Sequence, residues 1–136
     1  MPNRAHWDAG YACGHDLIDA QHQALLAQCR LLADLCLPDG TDGQDARFDA
    51  AFVQLQTLVR EHFEAEAELL ARQGWMKLED HRFECDEFEV LVSDIVSTEH
   101  FDRLELQRFL TLWCIGHIVG SARSVRTALG TGAPSG

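Results

Sequence analysis

Two pairs of side chains that commonly bind metals stand four residues apart in the central part of the chain. His62 and Glu66 form the first pair, and His81 and Cys85 form the second. Residues four apart lie on the same face of an α-helix, one turn above the other. Gly74 predicts a break between two such helices. We therefore expect the two pairs to face each other.

Two further histidines lie in the apolar stripes of other helical segments, His22 near the beginning of the chain and His117 near its end. A single histidine on such a stripe is more often a hydrogen-bonded core residue than a ligand. Four histidines together with Glu66 favour a ligand role instead, because each buried polar group without a partner costs about 1–3 kcal/mol. A shared metal ion would satisfy all five, and imidazole with carboxylate suits iron, zinc or manganese.

Four helical patterns must position these side chains. Asp19 is typical of a helix N-cap, and so is Asp102 with Glu105 three residues later. Gly74 and Gly130 are typical of helix C-termini. The patterns predict helices over about 19–36, 44–73, 77–95 and 102–129.

The connections between these helices are short, and short connections place successive helices antiparallel. The sequence therefore predicts an all-α fold, an up-down-up-down four-helix bundle with an N-terminal irregular arm anchored by Trp7. We expect one bundle domain over residues 1–130. The tail, residues 131–136, has too little apolar content to pack, and we expect it to be disordered.

Composition and charge narrow the function classes. The formal net charge is −11, which disfavours nucleic acid and anionic membranes. No apolar run is long enough for a membrane span, and the N-terminus has no signal core. Five scattered cysteines without a CxxC motif favour a reducing compartment, so we expect a cytoplasmic protein. We expect a monomer in preference to an oligomer. No nucleophile pair or phosphate loop is present, which favours binding or sensing over catalysis.

The order and spacing of these pieces resemble the hemerythrin family, specifically its bacterial single-domain members. The resemblance extends from Trp7 to about Arg126. The matching pieces are residues 7–8, 14–22, 62–66, His81 with Phe88, and 113–118.

The resemblance implies a centre of two irons held by five histidines and two bridging carboxylates, with an oxo or hydroxo bridge. His22 and His62 would hold the iron that binds O₂, and Glu66 would be one bridging carboxylate. His81 and His117 would be two of the three histidines on the other iron, which is coordinatively filled.

Several positions depart from the family pattern. Cys85 stands where the third histidine of the filled iron is expected, and Ala122 stands where the second bridging carboxylate is expected. Cys114 replaces the leucine that follows Trp113 and lines the O₂ pocket in the family. Ala67 replaces an acidic residue next to the bridging glutamate.

These departures leave three interpretations open. Cys85 ligates as a thiolate and Glu66 alone bridges; or the site holds one metal or two weakly; or the fold has lost stable metal binding. Cys85 and Cys114 would both face the pocket and could form a two-thiol redox pair. Glu84 and Glu89 project off the inner stripe, so we expect neither to replace the missing bridge.

The sequence thus favours a non-haem iron protein that binds or senses O₂, or another diatomic or peroxide ligand, at a modified di-iron site. The alternatives are a thiolate-assisted redox protein, acting on peroxide or nitric oxide at one or two irons, and a metal-free bundle that has lost O₂ binding.

Overall fold

Four helices make up almost all of the described chain in a computed structural model that covers residues 2–36, 43–74, 78–98 and 101–129. A 3-10 turn at Ala9–Tyr11 precedes them, and no described residue is in a strand. The helices are α1 Asp16–Asp34, α2 Gln44–Arg72, α3 Leu78–Ser97 and α4 Arg103–Leu129. The predicted all-α four-helix bundle is confirmed. The predicted cap at Gly130 and the predicted disordered tail lie outside the described residues.

The helices pack around one main apolar core. α1 contacts both α2 and α4, and α2 contacts α3 as well as α4. The largest fully buried side chains come from all four helices, as expected for a bundle whose apolar stripes meet at its axis. They include Leu25 and Leu32 of α1, Phe48 and Leu55 of α2, Phe88 of α3, and Leu106 and Leu110 of α4.

The first helix begins earlier than predicted, because His15 and not Asp19 is its N-cap. The backbone at His15 is extended, and its Nδ1 accepts a hydrogen bond from the Ile18 amide. The Asp19 carboxylate instead accepts from the amides of Cys13 and Gly14, which precede the helix. The prediction for Asp19 was therefore wrong, since a short carboxylate can bind orphan amides on either side of a helix start.

Two other helix ends agree with the sequence. The Asp102 side chain accepts from the amides of Leu104 and Glu105 and caps α4. Gly74 follows the end of α2 with a φ of 69°, in the left-handed region where glycine is favoured.

The N-terminal arm is tied to α1 and α4 by polar contacts. The buried Gln107 side chain of α4 accepts from the Asn3 amide and donates to the Asn3 carbonyl, at 2.8 and 2.7 Å. It also donates to the Cys29 carbonyl of α1. Trp7 is partly buried against the main core and meets the Tyr11 ring edge-on. Among the helices described, none is long and apolar enough to cross a membrane.

Candidate metal centre

Three helices bring four metal-binding side chains to one point in the bundle. His22 comes from α1, His62 and Glu66 from α2, and His117 from α4. One ligand atom from each of the four lies within 4.8 Å of the others. All four side chains are buried, with exposed fractions between 0% and 3%. Their shared helical stripes explain the convergence, since His62 and Glu66 are one turn apart on the same face of α2.

The imidazole nitrogens of this group are unusually close to one another. The Nε2 atom of His62 lies 3.0 Å from Nε2 of His22 and 2.9 Å from Nε2 of His117. The Oε2 atom of Glu66 lies 2.7 Å from the same nitrogen of His62. It lies 3.5 and 3.7 Å from the Nε2 atoms of His22 and His117. Four atoms with lone pairs therefore surround one small volume that water cannot reach.

The outer nitrogens of two imidazoles are held by side chains around the group. Nδ1 of His62 lies 2.9 Å from Oε1 of Gln21, and Nδ1 of His117 lies 2.7 Å from Oε1 of Glu84. Both oxygens can only accept, so each Nδ1 carries a hydrogen and donates it. In a neutral imidazole the Nε2 atom then has a free lone pair directed inward. Metal-binding histidines commonly have this arrangement of contacts.

Ionisation of the group follows from burial and these contacts. Burial alone would raise the pKa of Glu66, but hydrogen bonds from His117, His22, His62 and His81 hold that pKa far below its usual range. Burial lowers the pKa of His62 to about 4. Burial also opposes a charge on His117, yet hydrogen bonds to Glu66 and Glu84 raise its pKa to about 9. Without a metal the group thus keeps a proton on His117 beside the Glu66 carboxylate.

The donor set fits a divalent transition-metal ion. Two imidazole nitrogens at right angles, each about 2.0–2.1 Å from one ion, lie about 3 Å apart. The separations of 2.9 and 3.0 Å between the Nε2 atoms match that spacing. Three imidazoles and one carboxylate suit iron, zinc or manganese. A cation at this point would replace the proton and remove the repulsion between the inward lone pairs.

His81 contacts the group from the other side of Glu66. Its Nε2 atom lies 3.0 Å from Oε1 of Glu66, the oxygen that faces away from His62. The resemblance implies that His81 and His117 share an ion, whereas the structure brings His117 to His22 and His62. Ser121 donates to Oε2 of Glu66 at 2.6 Å. Ala122, the position of the missing second carboxylate, is fully buried in a small apolar cluster.

Cys85 lies outside the four-donor group. It is half-buried and lines a cavity of about 330 Å³ between α2 and α3, together with His81 and Phe63. Burial, with the carboxylates of Glu89 and Asp86, raises the pKa of the Cys85 thiol to about 11. At neutral pH and without a metal ion the thiol is therefore protonated.

The two predicted pocket residues on α4 have different surroundings. Trp113 stacks on the His117 ring with an angle of 5° between the planes and 5.5 Å between the centroids. Cys114 is fully buried in the main core, and its thiol is hydrogen-bonded to that of Cys29 on α1. The structure thus pairs Cys114 with Cys29, whereas the sequence suggested a pair with Cys85.

Three polar residues of the site were missed or set aside at the level of sequence. Gln21 directly precedes a histidine of the group, and its position carried no signal. Glu84 was placed off the inner stripe of α3, yet it reaches the edge of His117 because it follows His81 by three residues, one helical turn. Ser121 precedes Ala122, the position of the missing carboxylate, and it donates a hydrogen bond to the Glu66 carboxylate.

Comparison with known proteins agrees with this architecture. The chain is similar to proteins called hemerythrin-like protein in Naegleria gruberi and in Naegleria fowleri. Each is 26% identical over 121 residues, which cover 89% of this chain and 90% of the relative. This similarity over most of the chain supports a distant relation to hemerythrin-like proteins. No family model and no solved structure matches it.

A distant relation to hemerythrin-like proteins agrees with the four-helix bundle and with the buried histidines. Three positions depart from the pattern expected above. Cys85 and Ala67 both line the cavity between α2 and α3, and Ala122 lies beside Ser121 on α4. Two of the differences, Cys85 and Ala67, therefore lie at the cavity that His81 also lines.

Proposed function

We propose that this chain is a non-haem iron protein that binds or senses O₂, or another small diatomic or peroxide ligand, at the centre described above. The observation that carries the proposal is the triangle of inward Nε2 atoms beside the buried Glu66 carboxylate. A buried carboxylate surrounded by three imidazole nitrogens favours a cation, and a metal ion would take the place of the proton that His117 holds without it. Bound iron would supply a redox-active ion with a position for an exchangeable ligand.

The chain's own residues would hold and orient that ion. His22, His62, His117 and Glu66 would be the ligands. Gln21 and Glu84 would fix the orientations of two imidazoles through their Nδ1 atoms, which also favours the tautomer that binds metal. Ser121 would keep the Glu66 carboxylate in place by its hydrogen bond.

One ion per chain is the occupancy that this donor set favours. A second ion would have Oε1 of Glu66 and Nε2 of His81 as donors in the described part of the chain. With Ala122 in place of a second carboxylate, the remaining positions of that ion would have to be filled by water or by Cys85. We therefore propose a tight first site and a weak second one.

The alternative is a redox protein in which the Cys85 thiol assists peroxide or nitric oxide chemistry. The observation in its favour is that Cys85 and His81 line the same cavity. The raised pKa of the thiol acts against it, since the thiolate is the reactive form.

Metal analysis and O₂ titration test the proposal. Protein produced with iron supplementation should contain iron, and its absorption spectrum should change on oxygenation and revert on deoxygenation. His62→Ala should abolish iron binding, whereas the exposed His6→Ala should retain it as a matched control. Irreversible oxidation with thiol loss would favour the thiol-assisted alternative, and a wild type free of metal would leave only a metal-free bundle.

A further inference from the structure

The four-donor group is sealed from solvent, so an external ligand needs a route to it. His22 and His62 are fully buried, and Glu66 and His117 are 1% and 3% exposed. His81 is the member of the wider centre with the largest exposed fraction, 8%. It is also the one that lines the cavity between α2 and α3. That cavity therefore adjoins the centre at His81.

The wall between the cavity and the imidazoles is a single aromatic ring. Phe63 lines the cavity, and its ring centroid lies 4.8 Å from that of His81 and 4.6 Å from that of His117. The centroid of the Phe63 ring also lies 5.9 Å from that of the His62 ring. Phe63 and His81 thus both line the cavity and contact members of the donor group.

Polar atoms at this wall can receive a small ligand. Nδ1 of His81 is buried and has no hydrogen-bond partner among the described residues, while Nε2 of the same ring contacts Glu66. The lining also carries two arginines, Arg60 and Arg82, balanced by two carboxylates, Glu64 and Asp86.

The cavity is open because the side chains at its centre are small. Ala67 and Cys85 occupy adjacent places on α2 and α3 around it. Arg60 is held across the same pair of helices by a bidentate ion pair with Glu89, at 2.8 and 3.2 Å. This ion pair thus links the two helices that form the cavity, and the cavity has a volume of about 330 Å³.

We propose that this cavity is the port through which a neutral or singly charged molecule of a few heavy atoms reaches the metal centre, with Phe63 as its gate. The port rests on the proposed function, since it serves an ion held by the four-donor group. His81 offers its unpartnered Nδ1 atom to the incoming molecule as a hydrogen-bonding group, while its Nε2 atom contacts Glu66. Cys85 lines the route and takes no part in holding the ion.

Azide binding to the iron(III)-loaded protein, followed by stopped-flow absorption, tests the port. Ala67→Leu fills the cavity without altering a donor, and Ala27→Leu adds the same bulk on an exposed position of α1. A barrier on the route changes neither end state, so in Ala67→Leu the association and dissociation rates should both fall by about tenfold. The Kd should stay unchanged. Phe63→Leu should raise both rates, and Ala27→Leu should match the wild type.

A metal-free measurement accompanies the kinetics. Methyl methanethiosulfonate, a small thiol reagent, should modify Cys85 more slowly in ion-free Ala67→Leu than in ion-free wild type, as read by peptide mass spectrometry. Equal labelling, equal azide rates, or a change in Kd alone would overturn the port. A wild type that takes up no iron overturns the proposed function and the port together, whereas iron uptake with unaltered azide rates overturns the port alone.

Discussion

The two sides of Glu66 differ in almost every physical property. On the closed side, Oε2 faces three imidazoles from α1, α2 and α4, all sealed from solvent. On the open side, Oε1 faces His81 alone, and beyond it lies a cavity lined by a protonated thiol. We call these the closed side and the open side.

This difference indicates that the two oxygens of one carboxylate have different roles. The closed side has the donor number, the spacing and the supporting hydrogen bonds that the proposed ion needs. The open side has space and an unpartnered Nδ1 atom on His81, which suit exchange with solvent. A symmetric two-ion centre needs comparable donors on both sides, and here the donors are concentrated on one.

The largest effect should come from removing the charge that the two sides share. Glu66→Gln keeps the size of the side chain but removes the anion, so it should lower iron affinity by about 100-fold or more. Metal content after dialysis against a weak chelator measures this. Glu64→Gln, an exposed neighbour on α2, is the matched control. Equal iron retention in both variants would show that the closed side does not hold the ion through its carboxylate.

The proton on His117 gives the closed side a strong pH dependence. Because His117 keeps its proton up to a pKa of about 9, an ion must displace it, and apparent affinity should rise about tenfold per pH unit up to that value. His62, with a pKa of about 4, is neutral over this range, and Glu66, whose pKa is held far below its usual range, stays ionised. Calorimetric titration of cobalt(II) at several pH values measures the slope.

The same proton should stabilise the ion-free fold. A pKa raised above the unfolded value contributes stability that is fully present below about 6.5 and is lost as pH rises through about 9. Urea unfolding of the ion-free protein should therefore give a lower free energy of unfolding at pH 9 than at pH 6. Removal of the dependence by His117→Gln would assign it to this group, and its persistence there would assign it elsewhere.

A smaller loss should follow from weakening a support of the closed side. Glu84→Gln keeps an acceptor oxygen for Nδ1 of His117 but removes its charge, and we expect affinity to fall by about tenfold. Glu87→Gln, exposed on the same helix, should leave affinity as in the wild type. Competition with a coloured chelator resolves the difference, and an equal response of both variants would remove Glu84 from the site.

The smallest effect should come from the open side. Cys85→Ser should retain the iron content of the wild type, because the thiol lies outside the four-donor group and is protonated. Elemental analysis of the two proteins in parallel is sufficient. Loss of iron in this variant alone would mean that the thiolate ligates and that the two sides are more alike than the geometry indicates.

The fold and the principal donors could be predicted from the sequence because helical periodicity fixes which residues share a face. His22, His62, Glu66 and His117 all belong to apolar stripes, and four stripes in a bundle meet at one axis. The grouping around Glu66 could not be predicted. Which oxygen meets which imidazole depends on side-chain rotamers and on how deeply α3 sits against α2, and neither is encoded in spacing.

The supporting contacts were harder still to predict. Gln21, Glu84 and Ser121 act through side chains that reach around a helix, and a polar residue beside an apolar stripe normally indicates the wet face. Cys114 was misleading for the opposite reason. It lies on the inner face of α4, but the helix next to it at that depth is α1, so its thiol meets that of Cys29.

The packing of α3 affects how long a molecule would stay bound at the centre. α1, α2 and α4 contact one another, and the arm ties α1 to α4 through Gln107, whereas α3 packs chiefly against α2. An element with few neighbours opens locally at a lower free energy than the rest of a domain. α3 carries His81, Glu84 and Cys85. The lifetime of a bound molecule would therefore depend on local opening of this one helix, even when the domain as a whole is far from unfolding.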